Sequence, residues 1–368
     1  MTTCHLASTR TILRSSLPAL LAFAALCFPL VMPGDASAGM LRVNQFLIHD
    51  GTLRWFDVYE PDGLGAAPLP LVLHLHGGTL NKSSMRNGAP GELLSIADRE
   101  GFIVILPNGT LVDGTSGIAG SYNWNDCRGD GVGVLPESDD VGFLDALLDW
   151  AEDEYPVDPQ RIYSTGASNG GMMSYRLAFE LSDRIAAIAS QIAGLPAVSD
   201  CPVTQPSTPI SVMVMNGTAD PLVDWENGGT IDPSRGSVIS GPATREFWRT
   251  FLMPSSPPTN TLYPDLDPLD AGRIESDHYE NTLTGTELLF YVATDGGHTY
   301  PSIAHPVLPS LMDLLGDQNR DVESMEEIWT FLSQQSLVVP EPHFATALGA
   351  GALVLSFGAR RRARVRKS

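Results

Sequence analysis

Basic residues are scarce in this 368-residue chain: 22 lysines and arginines stand against 43 aspartates and glutamates. Most of the positive charge also sits at the two ends. Residues 39–336 hold 14 basic and 41 acidic side chains, a net of −27. A surface of that sign repels phosphate backbones and anionic membrane faces, so a nucleic-acid partner is not expected. Cysteine is nearly absent, four in all, and only Cys127 and Cys201 fall within residues 39–336. Two cysteines cannot make a disulfide-dense scaffold or a four-thiolate zinc site. No other run of ligand-type residues has metal spacing, so neither a metal nor a cofactor is expected. No apolar run reaches the roughly 20 residues of a membrane-spanning helix. No internal repeat is present, which argues against propellers and solenoids. No low-complexity linker divides the middle of the chain, and some 300 residues suit one α/β domain.

Both ends read as processing segments. Arg10 and Arg14 precede an apolar run at residues 17–31, interrupted by Pro18 and Pro29; Ala36-Ser37-Ala38 follows, ahead of Gly39. A basic region, a short apolar core and an A-x-A site describe a secretory signal peptide over residues 1–38. Cys27 follows Leu26, where a lipoprotein site wants a small residue. In an exported chain the two remaining cysteines, Cys127 and Cys201, most simply form one disulfide. At the other end Val339-Pro340-Glu341-Pro342 leads into an apolar run at residues 344–359. Arg360, Arg361, Arg362, Arg364, Arg366 and Lys367 close the chain. A short hydrophobic segment stopped by arginines keeps its basic end cytoplasmic. This three-part ending, within residues 337–368, resembles the PEP-CTERM sorting signal of exopolysaccharide-producing Gram-negative bacteria. The resemblance implies contact with export and exosortase-type processing machinery. It also implies transient membrane contact and release to the cell surface or medium. A plain C-terminal anchor is the alternative.

Between the ends, strand and helix patterns alternate. Residues 41–48 and 53–60 alternate around Asp50-Gly51, a hairpin signal. Residues 69–75 and 102–106 are buried-strand runs, separated by helical spacing over 92–100. A Gly/Asn/Asp-rich loop spans 107–138. A helix follows over 139–153, with Asp139 and Asp140 suiting its N-terminal dipole. Residues 161–163 read as a strand and 172–181 as a helix. Further strands are expected at 185–192, 210–215 and 287–293, with helices at 246–252 and 323–332. The Pro/Asp-rich stretch 253–277 reads as irregular. Strands alternating with helices predict a mostly parallel central sheet with helices on both faces and a leading antiparallel hairpin.

The chemistry centres on Gly166-Ala167-Ser168-Asn169-Gly170, a G-x-S-x-G between a strand and a helix. Such a turn lifts the serine hydroxyl clear of the sheet and aims helix N–H groups at the same place. A serine nucleophile needs a base and a group that orients the base. Asp220 leaves the end of the 210–215 strand in Gly217-Thr218-Ala219-Asp220-Pro221; Asp224 is the alternative acid. His298 leaves the 287–293 strand in Gly296-Gly297-His298. His49, His74, His76, His278 and His305 lack that strand-then-glycine setting in the right chain order. His76-Gly77-Gly78 after an early strand suits an oxyanion hole: the Gly78 N–H, or that of Thr79, with the Asn169 N–H. Trp124, Trp225 and Tyr300 lie near these loops and are candidate pocket walls.

Together, Leu75-His76-Gly77-Gly78, the 166–171 elbow with Met172-Met173, Gly217-Thr218-Ala219-Asp220-Pro221 and Gly297-His298-Thr299-Tyr300-Pro301 resemble the polyhydroxybutyrate depolymerase/feruloyl esterase-like family of secreted α/β-hydrolase esterases. Asp139-Asp140-Val141-Gly142-Phe143 and the 157–163 stretch are similar to that family too. The resemblance implies a Ser168–Asp220–His298 triad acting on carboxylic esters, soluble, oligomeric or polymeric. This chain departs from the pattern at Tyr300, where many members have Trp, and in lacking cysteines near 248–252 and 279–284. Two rival functions are a peptidase of the prolyl-oligopeptidase kind and a non-catalytic surface protein that binds carbohydrate.

Overall fold

The structure, a computed structural model, describes residues 39–338 except 134 and 271. The expected signal peptide, and the sorting segment from residue 339 onward, lie outside the described residues. Two strands open the fold: β1 (Met40–His49) and β2 (Thr52–Glu60) form the expected hairpin. Asp50 and Gly51 both take positive φ, 47° and 77°, which a tight two-residue hairpin turn demands.

Next come β3 (Leu69–Leu75), α1 (Gly88–Glu100), β4 (Ile103–Pro107), α2 (Asp140–Glu154), β5 (Val157–Ala167) and α3 (Asn169–Glu180). The second half holds β6 (Ala187–Gln191), β7 (Ser211–Gly217), α4 (Gly241–Leu252), β8 (Thr259–Leu262), β9 (Ile274–Asn281), β10 (Thr286–Ala293), α5 (Pro309–Leu315) and α6 (Ser324–Leu332). One sheet runs β1-β2-β4-β3-β5-β6-β7-β10-β9-β8. The strands from β4 to β10 are parallel to their neighbours; both margins of the sheet are antiparallel. A parallel sheet of this order, with a sharp strand-to-helix corner after β5, is the α/β-hydrolase fold.

Parallel strands covered on both faces read as continuous apolar runs, and period-2 alternation sorts their side chains between two cores. Leu71, Leu73, Val212, Val214 and Phe290 face α2, α3 and α4. Val72, Val104, Met213, Met215 and Tyr291 face α1 and α6.

Three departures from the sequence expectation have physical causes. Residues 253–277 are not wholly irregular, since β8 and the start of β9 lie there. β9 reads Ile-Glu-Ser-Asp-His-Tyr-Glu-Asn. Its buried residues, Ile274, Ser276, Tyr279 and Asn281, mix apolar with polar side chains and lose period two between 276 and 279, so the alternation is weak, and pairing with β10 decides it. The helix α1 begins four residues early because Pro90 suits a first helical turn. Asp140 is no surface dipole charge. It is fully buried, accepts from Arg54 Nη2 at 2.5 Å and from the Asn125 N–H at 2.7 Å, and so ties the helix start to β2.

Candidate active site

The corner after β5 is made of small residues because nothing larger fits. A Cβ on Gly166 would stand 2.6 Å from the Gly170 carbonyl carbon, and one on Gly170 would stand 2.4 Å from Leu75 O. Ser168 sits alone between strand and helix with φ 54° and ψ −125°. That backbone is disfavoured for any residue with a Cβ and persists only where the surroundings over-determine it. Here its N–H donates to Gln191 O on β6, and its carbonyl accepts from Met172 N in the first turn of α3, both at 2.9 Å. The serine is left half-exposed.

Asp220 and His298 meet. The turns after β7 and β10 touch closely: a Cβ on Gly217 would lie 2.1 Å from Gly296 O. Asp220 Oδ1 accepts the Leu222 and Val223 N–H groups at 2.8 and 2.9 Å, which aims the carboxylate. Its Oδ2 lies 2.7 Å from His298 Nδ1. A carboxylate only accepts, so Nδ1 carries the proton and Nε2 keeps its lone pair. The imidazole is fixed from behind by backbone. His298 N–H donates to Leu315 O at 2.5 Å and Gly297 N–H to Asp317 O at 2.7 Å. Asp224 closes its own exposed turn, accepting from the N–H groups of Glu226 and Asn227. Of the two candidate acids, only Asp220 is hydrogen-bonded to His298.

Sheet register sets Ser168 on the same edge as this pair. Ala167 pairs with Gln191, Gln191 with Met215, and Gly217 with Ala293. The Ser168 hydroxyl is not hydrogen-bonded to His298 here; such contacts commonly tighten only when substrate is bound.

The Gly77-Gly78 turn lies against the corner. A Cβ on Gly77 would be 3.7 Å from Ser168 Cβ, and one on Gly78 would be 3.5 Å from Asn169 Cβ. Among the described residues, neither the Gly78 nor the Asn169 N–H makes a hydrogen bond. The alternative donor, Thr79 N–H, is already spent on Tyr122 O at 2.9 Å and Asn123 Oδ1 at 3.2 Å. His76 is structural. It is fully buried, its Nε2 accepts from the Gly109 N–H, and burial lowers its pKa to about 4.

A buried network that no motif announced holds Asn169. Its Oδ1 accepts from Trp124 N at 2.7 Å, and its Nδ2 donates to Asp126 Oδ2 at 2.6 Å. Asp126 pairs with Arg128 at 2.8 Å, both buried. Cys127, between them, is joined to Cys201, with Cα atoms 5.4 Å apart and a sequence separation of 74. These residues come from the long loop before α2, where composition signals only irregular chain.

The three candidate pocket aromatics do not form a common wall. Trp124 is fully buried and donates its Nε1–H to His76 O at 2.9 Å. Trp225 is buried against Gly241, where a Cβ would meet its ring at 2.0 Å. It braces the loop that carries Asp220. Tyr300 lines a cavity of about 350 Å³ with Gly88, Pro90, His305 and Val307. None of the three candidate triad residues lines that cavity. Packing accounts for the two tryptophans: a large ring in a tight loop is drawn inward by its area.

Among the described residues three groups cluster closely enough for a metal. Cys127 and Cys201, beside Asp200, are spent on their disulfide; His49 with Asp50 and Asp139, and His278 with Glu280 and Glu287, are partly or fully exposed; none of the three includes Ser168, Asp220 or His298.

No family model matches the chain. It is 28% identical over 223 residues to the bifunctional acetylxylan esterase/xylanase XynS20E of Neocallimastix patriciarum, covering 61% of this chain and 28% of that protein. It is 26% identical over 283 residues to the putative esterase NocK of Nocardia uniformis subsp. tsuyamanensis, covering 72% of this chain and 74% of that one. Against feruloyl esterase C of Emericella nidulans the identity is 28% over 192 residues, 51% of this chain and 61% of the relative. The chain thus spans just over a quarter of the first relative's length and less than two thirds of the third's. All three carry an esterase name, and esterases are what this chain is similar to over half to nearly three quarters of its length.

Proposed function

We propose that the chain is a carboxylic ester hydrolase acting through a Ser168–His298–Asp220 acyl-enzyme mechanism. One observation carries the reading. His298 Nδ1–H is aimed at Asp220 Oδ2 at 2.7 Å, on the sheet edge where Ser168 occupies its strained corner.

In this mechanism Ser168 Oγ attacks the ester carbonyl carbon while His298 Nε2 takes its proton. Asp220 holds the ring and stabilises the imidazolium. The carbonyl oxygen, now negative, faces the N–H groups of Gly78 and Asn169; one such donor is typically worth about 3 kcal/mol of barrier. The C–O bond to the alcohol breaks, and His298 gives its proton to the leaving oxygen. Water, deprotonated by His298, then frees the acid and restores Ser168.

The relatives' names support acetyl and feruloyl esters of polysaccharide as substrates, and the motif resemblance adds short hydroxyalkanoate esters. A panel of these compared by kcat/KM would rank them. Ser168→Ala should abolish p-nitrophenyl butyrate hydrolysis and fluorophosphonate labelling; an active, labelled variant sinks the assignment. We also assign residues 1–38 to export and residues 337–368 to C-terminal sorting, leaving 39–336 as the catalytic domain. The Cys127–Cys201 disulfide supports an oxidising destination. Mass spectrometry of the mature protein should find an N-terminus at Gly39; an intact residue 1 on secreted material would refute that.

A further inference from the structure

A guanidinium stands beside the oxyanion turn in a molecule otherwise dominated by negative charge. Arg235 Nη1 lies 3.2 Å from where a Cβ on Gly78 would be, next to Asn123 Oδ1 at 3.0 Å and Asn169 Cβ at 3.5 Å from the same point. A side chain on Gly78 would crowd it by only a few tenths of an ångström, so the guanidinium lies in contact with the turn.

Arg235 is held there by construction. It ends a short turn, Pro233–Arg235, capped by Asp232 Oδ1 accepting from Ser234 N. On one side Ser234 O accepts from Val132 N at 2.7 Å; on the other Ser237 N donates to Asp130 Oδ1 at 2.8 Å. Gly236 follows with φ 77°, and a Cβ there would meet Arg128 Cβ at 2.7 Å. The turn is thereby clamped to the loop that also carries Asp126 and Cys127.

The charge of Arg235 is only partly spent. Its side chain is 34% exposed, and its ion pair is a long one, Nε to Asp232 Oδ2 at 3.5 Å. Asp232 itself accepts from both N–H and Oγ–H of Ser234. Among the described residues Nη1 makes no hydrogen bond. By contrast Arg128, one loop away, is paired through both Nε and Nη2 with the buried carboxylate of Asp126. A planar fork of donors matches a carboxylate better than any neutral group.

We propose that Arg235 selects esters that carry a carboxylate close to the scissile carbonyl, such as a half-ester of a dicarboxylic acid. This rests on the esterase reading above. In a chain of net charge −27 over residues 39–336, such a substrate would be repelled everywhere except at a local cation.

The test compares 4-nitrophenyl hemisuccinate with p-nitrophenyl butyrate, of similar length, on the wild type, Arg235→Gln and Arg235→Lys. The ratio of kcat/KM, hemisuccinate over butyrate, should fall about 10- to 100-fold in Arg235→Gln, the worth of a charge-assisted hydrogen bond. It should recover in part in Arg235→Lys and fall in the wild type as salt rises. A ratio unchanged by Arg235→Gln overturns the proposal, including the case where both esters slow equally because the residue merely supports the turn or the oxyanion. Binding of monomethyl succinate to Ser168→Ala, with and without Arg235→Gln, separates the two levels. A Kd that depends on Arg235 in a protein inert toward both esters upholds the carboxylate site and removes the esterase reading. A Kd indifferent to Arg235 removes the carboxylate site whatever the esters do.

Discussion

Asn169, next to Ser168 at the end of β5, is held through its side chain; Asp220 and His298, at the ends of β7 and β10, are held by backbone. Asn169 hangs from Trp124 and Asp126, Asp126 from Arg128, and the loop from a disulfide. Asp220 and His298 are instead aimed by the N–H groups of Leu222 and Val223 and by the carbonyls of Leu315 and Asp317. A backbone anchor tolerates most side-chain changes but no intrusion into the space between chains. A side-chain anchor is the reverse: each member is replaceable only at the cost of its partners, because a buried polar group left alone is expensive.

Substitutions can break or sharpen that contrast. Asp220→Asn keeps an oxygen for the Leu222 and Val223 N–H groups but reverses the polarity toward Nδ1. We expect kcat to fall about 10⁴-fold with little change in Tm; a large drop in Tm would show the carboxylate charge itself holding that loop. Asp126→Ala should strike stability and chemistry together. It strands the buried Arg128, costing about 3–5 kcal/mol in urea unfolding, and it frees Asn169, lowering kcat. A variant of normal stability would remove the network from the account. Gly297→Ala puts a Cβ 2.2 Å from Leu315 O. Overpacking of this kind costs about 1–3 kcal/mol, and here it should displace His298 and lower kcat with it.

The smallest effect is electrostatic. Glu92 on α1 faces Glu323, whose carboxylate holds the N–H groups of Ile303 and Ala304 just after the His298 turn. Burial first, then the charge of Glu323, raises the Glu92 pKa from 4.5 to about 7. A carboxyl raised by folding stabilises the fold fully below its unfolded value, and that contribution is lost as pH climbs through the folded one. Between about pH 4.5 and 7 the wild-type Tm should therefore decline relative to Glu92→Gln. Parallel Tm curves for the two proteins would deny the coupling.

Much of the fold was legible. Asp50-Gly51 announced the first hairpin, and the apolar runs of β3, β4, β7 and β10 announced strands covered on both faces. The corner at Ser168 was legible in the spacing of Gly166 and Gly170, since only glycine leaves room for the neighbouring backbone. The antiparallel margin was not. β9 buries Ile274 and Tyr279 out of step with each other and Ser276 and Asn281 beside them, so its identity rests on the strand next to it. Trp124 and Trp225 looked like pocket walls because they stand in loops, yet loops fold inward around large rings. Arg235 gave no signal, because its place beside Gly78 comes from two clamped loops distant in sequence.

What the sequence by itself determined is local: where strands alternate, where helices start, and where glycine alone permits the turn. Those follow from period and backbone sterics, which act between near neighbours. Tertiary structure alone showed that Asp220 rather than Asp224 meets His298, that the Thr79 N–H is spent while that of Gly78 is not, and that Cys127 meets Cys201. Each of those choices depends on the direction of a group and on partners as far as 78 residues away, as in the Asp220–His298 contact. Direction and distant partnership exist only once the sheet has set its register.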